Sequence, residues 1–120
     1  MLVWVVPCIE EERRLDVEAF LQLAALADVR LHFVDDGSRD RTAEVLAELC
    51  DRSDGKASWQ HLAHNSGKAE AVRQGLLRAL DDGAAVVGYL DADLSTPVSE
   101  AVRLAAELAQ RSEEHTSELQ

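Results

Sequence analysis

Apolar residues follow two rhythms along this chain. Short β-type runs occur at 2–6 (LVWVV), 29–34 (VRLHFV), about 58–62 (SWQHL) and 85–90 (AVVGYL), each followed by a stretch with helical spacing. In the third such stretch Val72, Leu76 and Leu80 recur at i, i+4 and i+8, with Leu77 beside them, which predicts one stripe facing a core. Val45, Leu46 and Leu49 do the same in the second, and Val98, Val102, Ala105 and Leu108 in the fourth. Strand then helix, four times over, predicts an α/β fold: a Rossmann-like, mostly parallel sheet with helices on both faces and right-handed crossovers. Ligands of such sheets bind outside the carboxyl ends of the strands. Those ends read Pro7-Cys8-Ile9-Glu10-Glu11, Asp35-Asp36-Gly37-Ser38, His64-Asn65-Ser66-Gly67-Lys68 and Asp91-Ala92-Asp93, so polar, charged and glycine residues gather on one edge.

Composition narrows the function classes. With 120 residues, 47% of them hydrophobic, the chain allows one domain with a real core. Twelve Lys and Arg against 23 Asp and Glu give a net charge of −11, which argues against nucleic acid as a partner and requires a metal or locally placed cations for any anionic ligand. Cys8 and Cys50 have no CxxC or metal spacing and read as reduced thiols, so a cytoplasmic setting is expected. MLVWVVP lacks a basic leader and a cleavage site and reads as a first strand, and no segment reaches the roughly 20 apolar residues that span a bilayer.

At GYLDADLSTP the apolar run stops at Asp91 and Asp93. Two carboxylates two residues apart at a strand end can both reach a divalent cation such as Mg²⁺ or Mn²⁺, which takes one or two carboxylates plus substrate phosphate oxygens. A lone DxD fits a solvated or helix-capping turn equally well. Here Thr96 before Pro97 supplies an N-cap, which leaves both aspartates without a structural task. In VDDGSRD, an Asx-type turn with Ser38 or Asp40 capping a helix accounts for Asp36, Gly37 and Ser38 but not Asp35, whose carboxylate could accept from a nucleobase N–H or a ribose hydroxyl. In HNSGKAEAVRQG, either a glycine simply enters a helix beside an exposed lysine, or Lys68, with Arg73, faces the phosphates of an anionic donor. Leu62 and Ala69 break the Walker pattern and there is no GxGxxG, which disfavours a dinucleotide enzyme. His32, His61 and His64 lack metal spacing and read as strand or loop residues, and Glu10 to Glu12 as the acidic first turn of a helix, with a further task open to Glu11.

Taken in order, VVPCIEEERRL, FVDDGSRDRT, NSGKAEAVRQG and YLDADLSTP resemble the four signature segments of family 2 glycosyltransferases, over residues 2 to about 104. The resemblance implies the N-terminal, nucleotide-binding half of a GT-A fold. The wording DADLSTP, with GKAEAVRQG before it, looks most like the branch that moves sugars from nucleotide donors to polyprenyl or dolichyl phosphate. By resemblance, Pro7 and Glu11 line the donor nucleoside pocket, Asp35 and Asp36 contact the base, and Lys68 stands near the donor phosphates. Asp91 faces the ribose or sugar and Asp93 ligates the cation. The implied partners are a nucleotide-diphosphate sugar and a polyprenyl phosphate acceptor. Ile9 and Glu10 depart from the family's usual Tyr and Asn, which touches base stacking and the first loop's contacts.

The last ten residues, RSEEHTSELQ, carry no continuing apolar stripe and match, residue for residue, one reading frame of a common sequencing-adapter string. They are expected to be a non-native tail, 111–120, behind a partial glycosyltransferase domain, 1–110, that lacks its acceptor half and is inactive alone; membrane association would come only through missing segments. Without the tail 11 basic and 20 acidic residues remain, a charge of −9, so the acidic conclusion stands. Two rival enzymes or modules fail on one point. A haloacid-dehalogenase-like phosphatase using the DADLS loop, or a receiver-type signalling module using Asp35-Asp36, needs a lysine after its phosphoryl-accepting aspartate, and none follows Lys68. The third rival is an inert fragment that folds marginally and binds nothing, with a sheet edge and apolar surface uncovered.

Overall fold

A computed structural model describes residues 1–119, with side chains described only up to residue 110. The side chains of the tail RSEEHTSELQ therefore lie outside the described residues. Eight elements alternate: β1 (Leu2–Cys8), α1 (Val17–Ala24), β2 (Val29–Asp35), α2 (Thr42–Arg52), β3 (Ala57–His61), α3 (Lys68–Asp81), β4 (Val86–Tyr89) and α4 (Val98–Leu119). All pairings are parallel and the strand order is β3-β2-β1-β4. The chain thus steps outward from β1 to β3 and then crosses back to the other side of β1 for β4, which makes the gap between β1 and β4 the topological switch point.

β1 and β2 are nearly continuous apolar runs because both of their faces are covered. The two-residue period divides β1 between two cores. Leu2, Trp4, Val6 and Cys8 join Phe20, Leu23, Phe33, Leu46 and Leu49 and the buried Ala101, on the face covered by α1, α2 and α4. Val3 and Val5 join Val34, Ala71 and Ala79 under α3. Phe20 meets Phe33 edge to face at 5.3 Å, tying α1 to β2.

Two expectations are corrected. The buried line of α3 is Ala71, Gly75 and Ala79, one residue out of phase with the predicted stripe, while Leu77 and Leu80 are 51% and 60% exposed. The cause is distance: a Cβ on Gly75 would overlap the Val5 side chain, so α3 sits too close to the sheet for leucines along its contact line. Leu76 and Val72 flank that line and are partly buried. Secondly, Glu10 to Glu12 do not open a helix. Glu10 has φ +50, Arg14 and Leu15 N–H bond back to the Glu11 carbonyl in a separate turn, and α1 begins at Val17, where Asp16 Oδ1 accepts from Ala19 N–H at 3.1 Å.

Candidate functional site

The ends of all four strands open on the same edge. Asp36 stands just past β2 and is buried; its Oδ1 accepts from Ser66 N–H at 2.7 Å and its Oδ2 from Gly67 N–H at 3.0 Å. This clasp fixes the loop that delivers Lys68, the first residue of α3. Asp35, fully buried, accepts from Ser38 N–H at 3.1 Å and pairs with His61 Nδ1 at 2.8 Å. His61, expected only as a strand or loop residue, takes this task from register, since Asp35 and His61 are Cα partners at the ends of β2 and β3. The first loop is tied down by Glu10, whose Oε1 and Oε2 accept from Arg39 N–H at 2.9 Å and Asp40 N–H at 3.2 Å, while Glu10 N–H donates to Ser38 Oγ at 2.9 Å. Glu11 N–H donates to Thr42 Oγ1 at 2.8 Å.

Past β4, Asp91 and Asp93 are joined through Ser95, which the sequence reading did not single out. Ser95 Oγ–H donates to Asp91 Oδ2 and Ser95 N–H to Asp93 Oδ1, both at 3.0 Å. The aspartates therefore do have a local structural task. The expected cap by Thr96 is not among the hydrogen bonds of the described residues; α4 starts instead with Glu100 and Ala101 N–H on the Pro97 carbonyl. Lys68 Nζ reaches across from α3 to ion-pair with Asp91 Oδ1, and its ammonium lies 5.4 Å from the Tyr89 ring centroid. The Lys68 hydrogen bond holds Asp91 below the usual aspartate range, and the same bond raises Lys68.

These groups surround a cleft of about 170 Å³ lined by Pro7, Cys8, Ile9, Glu11, Asp36, Lys68, Asp91, Ala92 and Asp93. Six of the seven residues expected at the site meet here; Asp35 does not line the cleft but stands behind it. Glu11 is only 13% exposed, and its Oε2 is buried with no hydrogen-bond partner, the nearest cation being Arg14 Nε at 3.7 Å. Cys8 is an inert lining group, because burial pushes its thiol far up, with Glu11 and Asp35 adding repulsion. Arg73, a second candidate for phosphate, instead pairs with Glu70 on its own helix at 2.7 Å.

The switch point of this parallel α/β sheet thus brings paired aspartates, a lysine and the buried Glu11 carboxylate to the edge where open α/β sheets bind their ligands. Glycosyl transferase family 2 matches residues 3–114, and the chain belongs to that family. An undecaprenyl-phosphate 4-deoxy-4-formamido-L-arabinose transferase of Pectobacterium carotovorum subsp. carotovorum (strain PC1) is 36% identical over 110 residues, 88% of this chain and 33% of its own length. The protein of the same name from Pseudomonas savastanoi pv. phaseolicola (strain 1448A / Race 6) is 41% identical over 73 residues, 61% of this chain and 21% of its own length. The chain thus spans about a third, or less, of the length of these curated relatives. The crystal structure of S. aureus TarS superposes on 77% of the chain, and 16% of its own, with a TM-score of 0.61 at 18% identity, a likeness of fold. Among the described residues, no helix is long and apolar enough to cross a membrane.

Proposed function

We propose that these residues form the donor-binding part of a glycosyltransferase that takes a sugar from a nucleoside diphosphate and transfers it, with inversion, to a polyprenyl phosphate. The observation that carries this reading is the meeting of Pro7, Glu11, Asp36, Lys68, Asp91 and Asp93 in one cleft at the switch point of a family 2 chain.

The donor set suits Mg²⁺ or Mn²⁺: two aspartates at the cleft, Asp93 exposed, with oxygen ligands left to come from the diphosphate and water. Among the described residues no group of three or more His, Cys, Asp or Glu is arranged to hold a metal ion. Once bound, such a cation neutralises the charge that gathers on the leaving diphosphate. Lys68 adds a positive charge on the phosphate side. Glu11, whose Oε2 lacks a hydrogen-bond donor among the described residues, is the proposed acceptor for a ribose hydroxyl or base N–H. Asp36 sets the loop that carries Lys68, and Asp35 orients Ser38 and His61 from behind the cleft, a positioning role in place of base contact.

A polyprenyl phosphate acceptor is supported by the relatives, which are named undecaprenyl-phosphate sugar transferases. A phosphate acceptor is already ionised at neutral pH and needs no strong general base. None is assigned among these residues, to which only the donor side is given.

Calorimetry of UDP and of GDP titrated into the chain with Mn²⁺ tests the reading. At least one nucleotide is expected to bind, and chelation of the metal or Asp93→Ala to weaken it roughly ten-fold or more, about 1.4 kcal/mol. Equal affinity with and without cation removes the metal from the site, and binding of neither nucleotide removes the donor.

A further inference from the structure

Resting on that reading, we infer that Lys68 is an exchangeable counter-ion, which occupies the place of the divalent cation at Asp91 until a diphosphate draws it away. Three of the four carboxylate oxygens of the aspartate pair are already engaged from within the chain: Asp91 Oδ1 by Lys68 Nζ, Asp91 Oδ2 by Ser95 Oγ–H and Asp93 Oδ1 by Ser95 N–H. The cleft lining holds four carboxylates, Glu11, Asp36, Asp91 and Asp93, against one ammonium. That ammonium is committed to Asp91 rather than directed at open solvent, although its side chain is 57% exposed.

A divalent cation arriving alone meets a site whose first ligand is already neutralised. To use Asp91 it must displace Lys68, which gives up its ion pair while the incoming charge lies close to the ammonium. A diphosphate changes the balance by offering oxygens to both cations. The ammonium moves from carboxylate to phosphate while the metal takes Asp91 and Asp93, so neither cation is left without an anionic partner. Lys68 thereby couples the two ligands. Metal alone binds weakly, metal and nucleotide bind together, and each tightens the other by the same factor. The lysine stem is anchored for this motion, because the loop behind it is held by Asp36 and need not move as the ammonium swings.

The test measures Mn²⁺ binding to the chain by electron paramagnetic resonance, without nucleotide and with saturating UDP or GDP, in wild type, Lys68→Met and Lys68→Arg. Loss of a unit positive charge beside the aspartates is expected to tighten Mn²⁺ alone about ten-fold in Lys68→Met, while the enhancement by nucleotide shrinks by a similar factor. Lys68→Arg keeps the charge and is expected to behave as wild type. Unchanged or weaker binding of Mn²⁺ alone in Lys68→Met overturns the exchange, and so does an arginine variant that behaves like the methionine one. The metal-only arm reads the exchange even if neither nucleotide binds, whereas nucleotide binding that survives with an unchanged Mn²⁺ affinity overturns the exchange and leaves the donor site standing.

Discussion

Gly37 lies at φ +72 in the turn after β2, and the backbone of His64 and Asn65 passes directly over it; a Cβ there would stand 2.5 Å from Asn65 N. The same crossing lets Asp36 reach Ser66 and Gly67. Gly37→Ala therefore meets two costs, a left-handed backbone and a clash with main chain that cannot swing aside. Gly55, at φ +79 with nothing within 4 Å, meets only the first. Urea denaturation is expected to show a loss of about 1–2 kcal/mol for Gly55→Ala and about 2 kcal/mol more for Gly37→Ala. Equal losses would mean that the loop crossing contributes nothing. At this scale residue types were legible and partners were not. The sequence pointed to Asp36, Lys68, Asp91 and Asp93 because carboxylates and cations at strand ends are conspicuous. It missed Ser95 and His61, since a serine or histidine shows its task only when register and turn geometry bring it to a particular carboxylate.

The order of strands and helices followed from periodicity alone, and strand limits shifted by only one or two residues, β1 running on through Pro7 and Cys8. Helix phase was harder. On α3 the leucines form the more conspicuous stripe, yet contact with the sheet selects Ala71, Gly75 and Ala79 because backbone proximity, not side-chain size, sets that interface. Strand pairing also creates a pH response. His32 on β2 is buried, with Nδ1 2.7 Å from Ser58 Oγ and Nε2 2.7 Å from Gln60 Oε1, both on β3. The amide oxygen can only accept, so the neutral ring donates from Nε2 and takes the serine hydroxyl at Nδ1. Burial lowers the His32 pKa from 6.5, with the Gln60 hydrogen bond opposing. The folded state therefore binds the proton less readily than the unfolded chain. The stability is fully present above about pH 6.5 and is lost as pH falls through the depressed folded value. Melting temperature is expected to drop below pH 6.5 in wild type and to drop less in His32→Gln; identical acid profiles would show that this ring carries no linkage.

Across the whole molecule the two faces of the sheet are covered unequally, by three helices on one side and by α3 on the other. β4 is an edge strand, and Leu77, Leu80, Val86 and Tyr89 are exposed on α3 and β4. An open edge beside exposed apolar side chains favours association despite a net charge of −11. Sedimentation velocity is expected to show concentration-dependent self-association that Leu77→Lys with Leu80→Lys reduces, with stability changed by no more than about 0.5 kcal/mol, since neither side chain is in a core. Persistence of association in the double variant would place it elsewhere.

The strand order has one more consequence, in time rather than space. β1 leaves the ribosome before the other described strands, yet its neighbour β4 ends at residue 89, and Asp91 and Asp93 follow only after that. Synthesis as far as residue 85 supplies three adjacent strands and both the Asp36 clasp and Lys68, but no carboxylate pair for the lysine to meet. Among the described strands the cleft's aspartate pair comes last, so a translation pause before residue 86 leaves a part-folded sheet whose cleft is still incomplete.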